Sequence, residues 1–310
     1  MLEKIALIFN YSIIKTTIRY STPILYAALG VLITQQANML NVGVEGMMLS
    51  GAFTAIAVSY FTGNWFLALI AAIIVGIILA IIMAFAHLKY DADIIVVGVA
   101  INLLSLALTR FLLNNVLGAS GFFRSPYIVP IPKVHFDFLT KNDVINTLFN
   151  NYSMFEIIGI MLVFIIWFLL FKTVWGLRVR SVGLFPQAAE TAGINVYKLK
   201  FSTMIFSGLL GGMAGAHLSL GYSKLFVENM TGGKGLMGVA AMFFGGGDPI
   251  FTWVGCLIFG FTDSVGSRLQ PYGLPSQFVL MFPYITTVLF LTLSMIRRIR
   301  RERIEKSSLK

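Results

Sequence analysis

Residues 175–200 read WGLRVRSVGLFPQAAETAGINVYKLK, a basic insert punctuated by proline and glycine between two hydrophobic runs, Ile157–Phe171 and Phe201–Leu220. Pro186 suits the first position of a helix, where its missing N–H would be unpaired anyway. Gln187–Thr191 are fair helix formers, and Gly193 can take the left-handed conformation that ends a helix. The expectation is about two turns of helix on a loop rich in Arg and Lys. The small side chains of Ala188, Ala189 and Ala192 suit close docking on another protein.

Outward from this insert the chain turns apolar. Hydrophobic types make up 57% of 310 residues and charged types only 12%. Runs such as Trp65–His87 supply the ~20 apolar residues needed to cross the hydrocarbon core of a bilayer. Barrel strands alternate and are about ten residues long, so these continuous runs exclude a barrel. The fold class is all-α integral membrane: one domain over residues 1–310, a polytopic bundle of about ten transmembrane helices, some of them broken.

Spans are expected near 22–40, 42–62, 65–88, 93–117, 154–172, 201–221, 236–247, 250–268 and 276–296, with a weaker, polar-spotted candidate at 4–20 carrying Lys15 and Arg19. Arginines and lysines favour the cytoplasmic side. They place the 173–200 loop there, through Lys172, Arg178, Arg180, Lys198 and Lys200, and also the tail 297–310 with its five arginines from Arg297 to Arg303. The loop 118–152 then lies outside, and Pro126, Pro130 and Pro132 argue against a long helix in it. Counting backward gives ten spans with both ends inside if 4–20 crosses, or nine with the N-terminus outside.

The formal net charge is +10, and much of it sits in the tail directly after a hydrophobic span. Attraction to anionic lipid headgroups explains that cluster better than nucleic acid does. Cys256 is the single cysteine, so neither an intramolecular disulfide nor a cysteine metal cluster is available, and it reads as a small buried hydrophobe. The N-terminus shows no small-residue cleavage site and is read as retained.

Two segments depart from plain membrane helices. Asn38–Gly51 reads NMLNVGVEGMMLSG and Gly232–Pro249 reads GGKGLMGVAAMFFGGGDP. Both are dense in glycine, and both carry a charge beside apolar sequence. Irregular backbone at membrane depth is tolerated where protein or a water-filled cavity covers it. Interrupted segments in two halves of a chain point to a transport pathway.

Three ordered motifs, Asn41–Gly46 (NVGVEG), Gly183–Val196 (GLFPQAAETAGINV) and Gly233–Gly247 (GKGLMGVAAMFFGGG), resemble the permease subunits of bacterial ABC importers for simple sugars and nucleosides. These belong to the larger ribose and branched-chain amino-acid permease family, and the resemblance spans roughly residues 21–295. The NVGVEGMMLSGA form, with Glu45, leans towards the nucleoside-type branch. The resemblance implies an importer of two permease subunits, commonly different chains in that branch. It also implies two cytoplasmic ABC ATPase domains, which hold ATP and Mg, and an extracytoplasmic substrate-binding protein. In this chain no cofactor is expected. Phe185, Pro186, Ala188, Ala189, Glu190, Thr191 and Gly193 would form the coupling helix seated in the ATPase, against the alternative of a loop helix packed on its own bundle. The location implied is a bacterial inner or plasma membrane, spanned many times.

Other residues carry two readings each. Glu45 either caps the helix that follows it or, with Asn41, binds a hydroxyl or base edge of a polar substrate. Lys234 either snorkels to the outer interface or touches substrate. Asn102 and Arg110 share a helix face two turns apart; Arg110 is expected to snorkel, and Asn102 either bonds between helices or lines the path. Phe243 and Phe244 gate a path, stack a ring or simply pack. Gly208, Gly211, Gly212 and Gly215 have the small-residue spacing that lets helix backbones approach, within or between subunits. Asp91 and Asp93 read as solvated loop charges.

Enzyme signatures are missing. No G-x-x-x-x-G-K-[ST] occurs, and His87, His135 and His217 lack metalloprotease spacing. The reading is a permease subunit working by alternating access, with nucleosides the first substrate class. A simple sugar or another heterocycle such as a flavin is the alternative. A stand-alone secondary transporter or channel is the reading from another class.

Overall fold

The computed structural model describes residues 12–134 and 150–269 together with residues 281, 285 and 292. The tail 297–310, nearly all of the expected 276–296 span and much of the 118–152 loop lie outside the described residues. Below, "inner" means the side of the 173–200 loop and "outer" the opposite side.

Helix α1, Ser12–Gln36, runs through the centre, and every residue from Ser21 to Thr34 is buried. Residues 12–20 of the expected 4–20 span are therefore continuous with the expected 22–40 span in one helix, and residues 4–11 lie outside the described residues. Pro23 does not end it. Its missing N–H frees the Arg19 carbonyl one turn earlier, and the hydroxyls of Ser21 and Thr22 hold the neighbouring Ile18 carbonyl, at 2.9 and 2.7 Å. Lys15 and Arg19 lie at its outer end, where Lys15 Nζ donates to the Asn150 carbonyl at 2.7 Å and Arg19 Nε meets Glu156 Oε1 at 3.3 Å.

The other helices that the described residues bound follow in order: α2 (Val44–Thr62), α3 (Trp65–Tyr90), α4 (Ile94–Val116), α5 (Met154–Lys172), α6 (Val174–Leu184), α7 (Pro186–Thr191), α8 (Val196–Ala216), α9 (Lys234–Phe244) and α10 (Pro249–Leu269). A π-helical segment, His217–Ser223, continues α8. Among the described residues, six segments are long and apolar enough to cross a membrane: α2, α3, α4, α5, α8 with its π extension, and α10. Asp93 is exposed, as expected of a solvated loop charge, and its carboxylate also accepts from Ile95 and Val96 N–H and caps α4.

Hydropathy and burial run opposite to the rule for soluble proteins. The most apolar span, α3, is only 33% buried, whereas the less apolar α2 and α8 are 72% buried. Lipid tails are as apolar as leucine, so helix association depends on close backbone packing instead. Helix α8 wedges between α2 and α3 on its glycines. A Cβ at Gly212 would lie 2.4 Å from the Ala72 carbonyl oxygen of α3, and one at Gly208 would lie 2.5 Å from that of Gly76. On the α2 side, a Cβ at Gly215 would lie 2.1 Å from the Met48 carbonyl oxygen; Gly211 is looser, 3.1 Å from Met47 Cβ. All four contacts lie within one chain.

Among the described residues two antiparallel ladders cover the outer end, and the sequence analysis did not anticipate them. β1 (Phe122–Phe123) pairs with β4 (Phe226–Val227), and β2 (Lys133–Val134) pairs with β3 (Tyr152–Ser153). Arg110 does not merely snorkel here, since its Nε lies 3.5 Å from Glu228 Oε2 beside β4.

Candidate functional site

The inner loop is built by two abrupt turns. At Thr173 the chain leaves α5 in an extended conformation, and the Thr173 hydroxyl accepts from Gly176 N–H at 3.2 Å to start α6. The turn is so tight that a Cβ at Gly176 would lie 2.2 Å from the Leu169 carbonyl oxygen. Pro186 then opens α7. Gly193, with φ of 80°, closes it: its N–H donates to the Glu190 carbonyl and Ile194 N–H to the Ala189 carbonyl. Those two bonds form a Schellman motif.

Exposure sorts the residues of this loop. Ala188, Glu190, Thr191, Ala192 and Gly193 are exposed, together with Leu184 at 73% and Phe185 at 69%. Ala189 differs from the expectation of a partner-facing alanine, because it is 4% exposed and turned into its own chain. Behind α7, helix α6 crosses the inner end of α1. There a Cβ at Gly183 would lie 2.1 Å from the Gln36 carbonyl oxygen, and Gln36 Nε2 donates to the Gly247 carbonyl at 2.8 Å. A cavity of about 470 Å³ opens between these elements, lined by residues that include Gln35, Gln36, Asn38, Arg180 and Phe243. Phe243 thus faces an inner vestibule, while Phe244 packs near Gly255 of α10.

The two glycine-dense segments are irregular backbone, and polar side chains hold both. Helix α9 has 11 residues, about 16 Å, roughly half of what a crossing needs. Its N-terminal N–H groups lack intrahelical partners, and Gly233 supplies no side-chain cap. Glu45, far away in sequence on the first turn of α2, caps it instead. Its Oε1 accepts from Gly233 N–H at 2.8 Å and its Oε2 from Gly235 N–H at 2.6 Å. A negative charge at that position also complements the helix dipole. The sequence suggested a cap for Glu45, but on the wrong helix.

Asn102 braces the other break. Its Oδ1 accepts from Gly46 N–H at 2.7 Å, and its Nδ2 donates to the Val42 carbonyl at 3.0 Å. Asn41 is fully buried, and its Nδ2 donates to the Ser207 hydroxyl at 2.8 Å. Glu45 and Asn102 are thus held by protein groups at both polar atoms, whereas Asn41 keeps a buried Oδ1 without a hydrogen-bond partner. Lys234 does not snorkel to an interface; its Nζ lies 2.6 Å from Asp263 Oδ2 on α10.

Asp263 was missed in the sequence, although a lone acid within the apolar run 250–268 was a visible signal. Tyr20 and Tyr222 gave none. Their rings sit 5.1 Å apart at 59°, and the Tyr222 hydroxyl donates to that of Tyr20.

Residues 13–292 match the family model described as branched-chain amino acid transport system / permease component. Guanosine ABC transporter permease protein NupQ of Bacillus subtilis is 37% identical over 292 residues, covering 90% of this chain and 91% of NupQ. Nucleoside ABC transporter permease protein NupC of Lactococcus lactis is 32% identical, covering 91% of each. A permease protein of Haloferax volcanii whose name refers to glucose ABC transport is 31% identical, covering 93% of each.

Proposed function

The chain belongs to the branched-chain amino acid transport system permease component family, and we propose that it is the membrane subunit of an ATP-driven nucleoside importer. The observation that carries this reading is α7 with its flank. Leu184 and Phe185 are large apolar side chains left exposed on a basic, water-facing loop, and exposed apolar patches of this kind mark binding sites for other proteins. The partner that fits is a cytoplasmic ABC ATPase, which would hold the ATP and Mg; this chain needs no cofactor of its own.

Nucleosides are the first substrate class because the guanosine and nucleoside permeases match over nearly their whole lengths. A second permease subunit, commonly a different chain, and an extracytoplasmic binding protein complete the assembly in a bacterial plasma membrane. Closure of the ATPase on ATP would move α7, and through Gly183 and Gln36 the inner ends of α1, α9 and α10. The relative named for glucose supports a second reading, a sugar permease.

The test is uptake by vesicles containing the chain, its ATPase, its second permease and its binding protein. ATP-dependent guanosine accumulation is expected. Accumulation of glucose in its place would establish the sugar reading, and ion-driven transport by this chain alone would overturn both.

A further inference from the structure

We propose that Tyr20, Tyr222, Lys234 and Asp263 form the outer substrate-contacting site of the translocation path, built for an uncharged ligand that carries both a planar ring and hydroxyl groups. This rests on the importer reading and deepens it, since two of the path candidates from the sequence, Glu45 and Asn102, are bound to the chain's own polar groups at both polar atoms.

Four elements bring these side chains to one level. Helix α10 packs antiparallel on α1, with Ser264 Oγ 2.6 Å from Thr16 Oγ1 and a Cβ at Gly260 2.5 Å from Ser21 Cβ. Asp263 precedes Ser264, and Tyr20 lies one turn beyond Thr16. Helix α9 runs parallel to α1, with Gly238 against Ile24 and Ala28; Lys234, one turn earlier, falls at the level of Tyr20. Tyr222 reaches Tyr20 from the π-helical segment and lies within electrostatic range of Asp263. π-Helical turns occur often at functional sites because they re-aim side chains.

The chemistry then selects the ligand. Ionisable residues at membrane depth are costly and usually face a cavity or a pathway. The Lys234 and Asp263 side chains keep 17% and 12% exposure, and Tyr222 keeps 37%, so this cluster is not sealed inside the chain. Because the two charges neutralise each other, a charged ligand would have to break the pair. A neutral ligand can share it: an ionised carboxylate accepts several hydrogen bonds, and only Oδ2 of Asp263 meets the lysine. The tilted tyrosine pair offers ring faces for stacking and hydroxyls for hydrogen bonds. Nucleosides combine both features.

The test uses the complete importer in vesicles, with saturating guanosine-loaded binding protein so that ligand capture does not limit the rate. Tyr222→Leu and Tyr20→Leu are each expected to lower uptake about tenfold, the scale of one lost base–aromatic stack. Unchanged uptake in both would overturn the site. No guanosine uptake by the wild-type complex would instead sink the nucleoside reading, a separate outcome. A Lys234→Asp, Asp263→Lys double variant checks for a merely structural pair. If the exchange restores both assembly and uptake, the pair is a staple and the site is wrong; restored assembly with uptake still lost supports it.

Where leucine variants assemble poorly, Tyr222→Cys decides. Cys256 is buried, so a hydrophilic thiol reagent should find residue 222 against a low background, and guanosine turnover should slow the labelling several-fold. Labelling that guanosine leaves unchanged, or no labelling at all, would overturn the proposal.

Discussion

Gly183 sits so close to Gln36 that a Cβ on it would lie 2.1 Å from the Gln36 carbonyl oxygen. The loop carrying α7 therefore bears directly on the last turn of the central helix, backbone against backbone. Gln36 passes the contact on, because its side-chain amide holds the Gly247 carbonyl in the turn between α9 and α10. Gly183→Ala should push α6 off α1. Overpacking of this kind costs about 1–3 kcal/mol, and 1.4 kcal/mol is a factor of ten. The expected result is an assembled complex whose substrate-stimulated ATP hydrolysis falls about tenfold. Normal stimulation would mean that α6 has another route to the bundle.

Glu45→Gln tests the cap on α9. The amide keeps the shape but removes the charge and leaves one donor facing Gly233 or Gly235. Hydrogen bonds to a charged group contribute about 1.5–3 kcal/mol each, so a clear loss of thermal stability in detergent is expected. Gly235→Ala should be at least as damaging, since its Cβ would lie 2.7 Å from Glu45 Cα. A Glu45→Gln protein that melts like wild type would return Glu45 to the list of substrate contacts.

Much of the bundle was legible in the sequence, because a helix that crosses lipid must be long and apolar whatever it packs against. The spans 42–62, 93–117 and 154–172 fall within a few residues of α2, α4 and α5. The break at Tyr20–Thr22 was illusory: polar residues inside α1 face other helices, so they dilute the apolar signal without ending the helix. Pairing across long separations was invisible. Nothing local to Glu45 says that its partner is the N-terminus of α9, and nothing local to Lys234 says that Asp263 awaits it. The motif glycines marked where such closeness would occur but not with which helix.

Gly212→Leu should prevent folding of the chain itself. A Cβ there would lie 2.4 Å from the Ala72 oxygen and 2.9 Å from Ile73 Cα, both backbone atoms that cannot swing aside. Little monodisperse protein is expected on size exclusion. Gly193→Ala is the contrasting case, with nothing within 4 Å of the added Cβ but φ of 80°. Its cost should stay near 1 kcal/mol, with assembly nearly normal. Equal behaviour of the two variants would contradict the packing of α8 on α3.

Ala188 and Ala189 separate docking from folding on a single short helix. Ala188 is exposed, whereas Ala189 is 4% exposed and faces its own chain. Ala188→Arg puts a long, hydrated cation on the surface offered to the ATPase. The isolated chain should fold, insert and melt normally, because water still reaches the new side chain. Burying an unpaired charge at an interface costs several kcal/mol, far above the ~1.4 kcal/mol that makes a tenfold change in affinity. Co-purified ATPase and ATP-driven uptake should therefore fall together. Ala189→Arg should fail earlier, as lower yield and lower melting temperature before any partner is added. Glu190→Gln, which keeps shape and exposure, should cost less than either. If Ala188→Arg binds its ATPase and transports at the wild-type rate, then α7 is not at the interface, and the exposed Leu184 and Phe185 must serve some other contact.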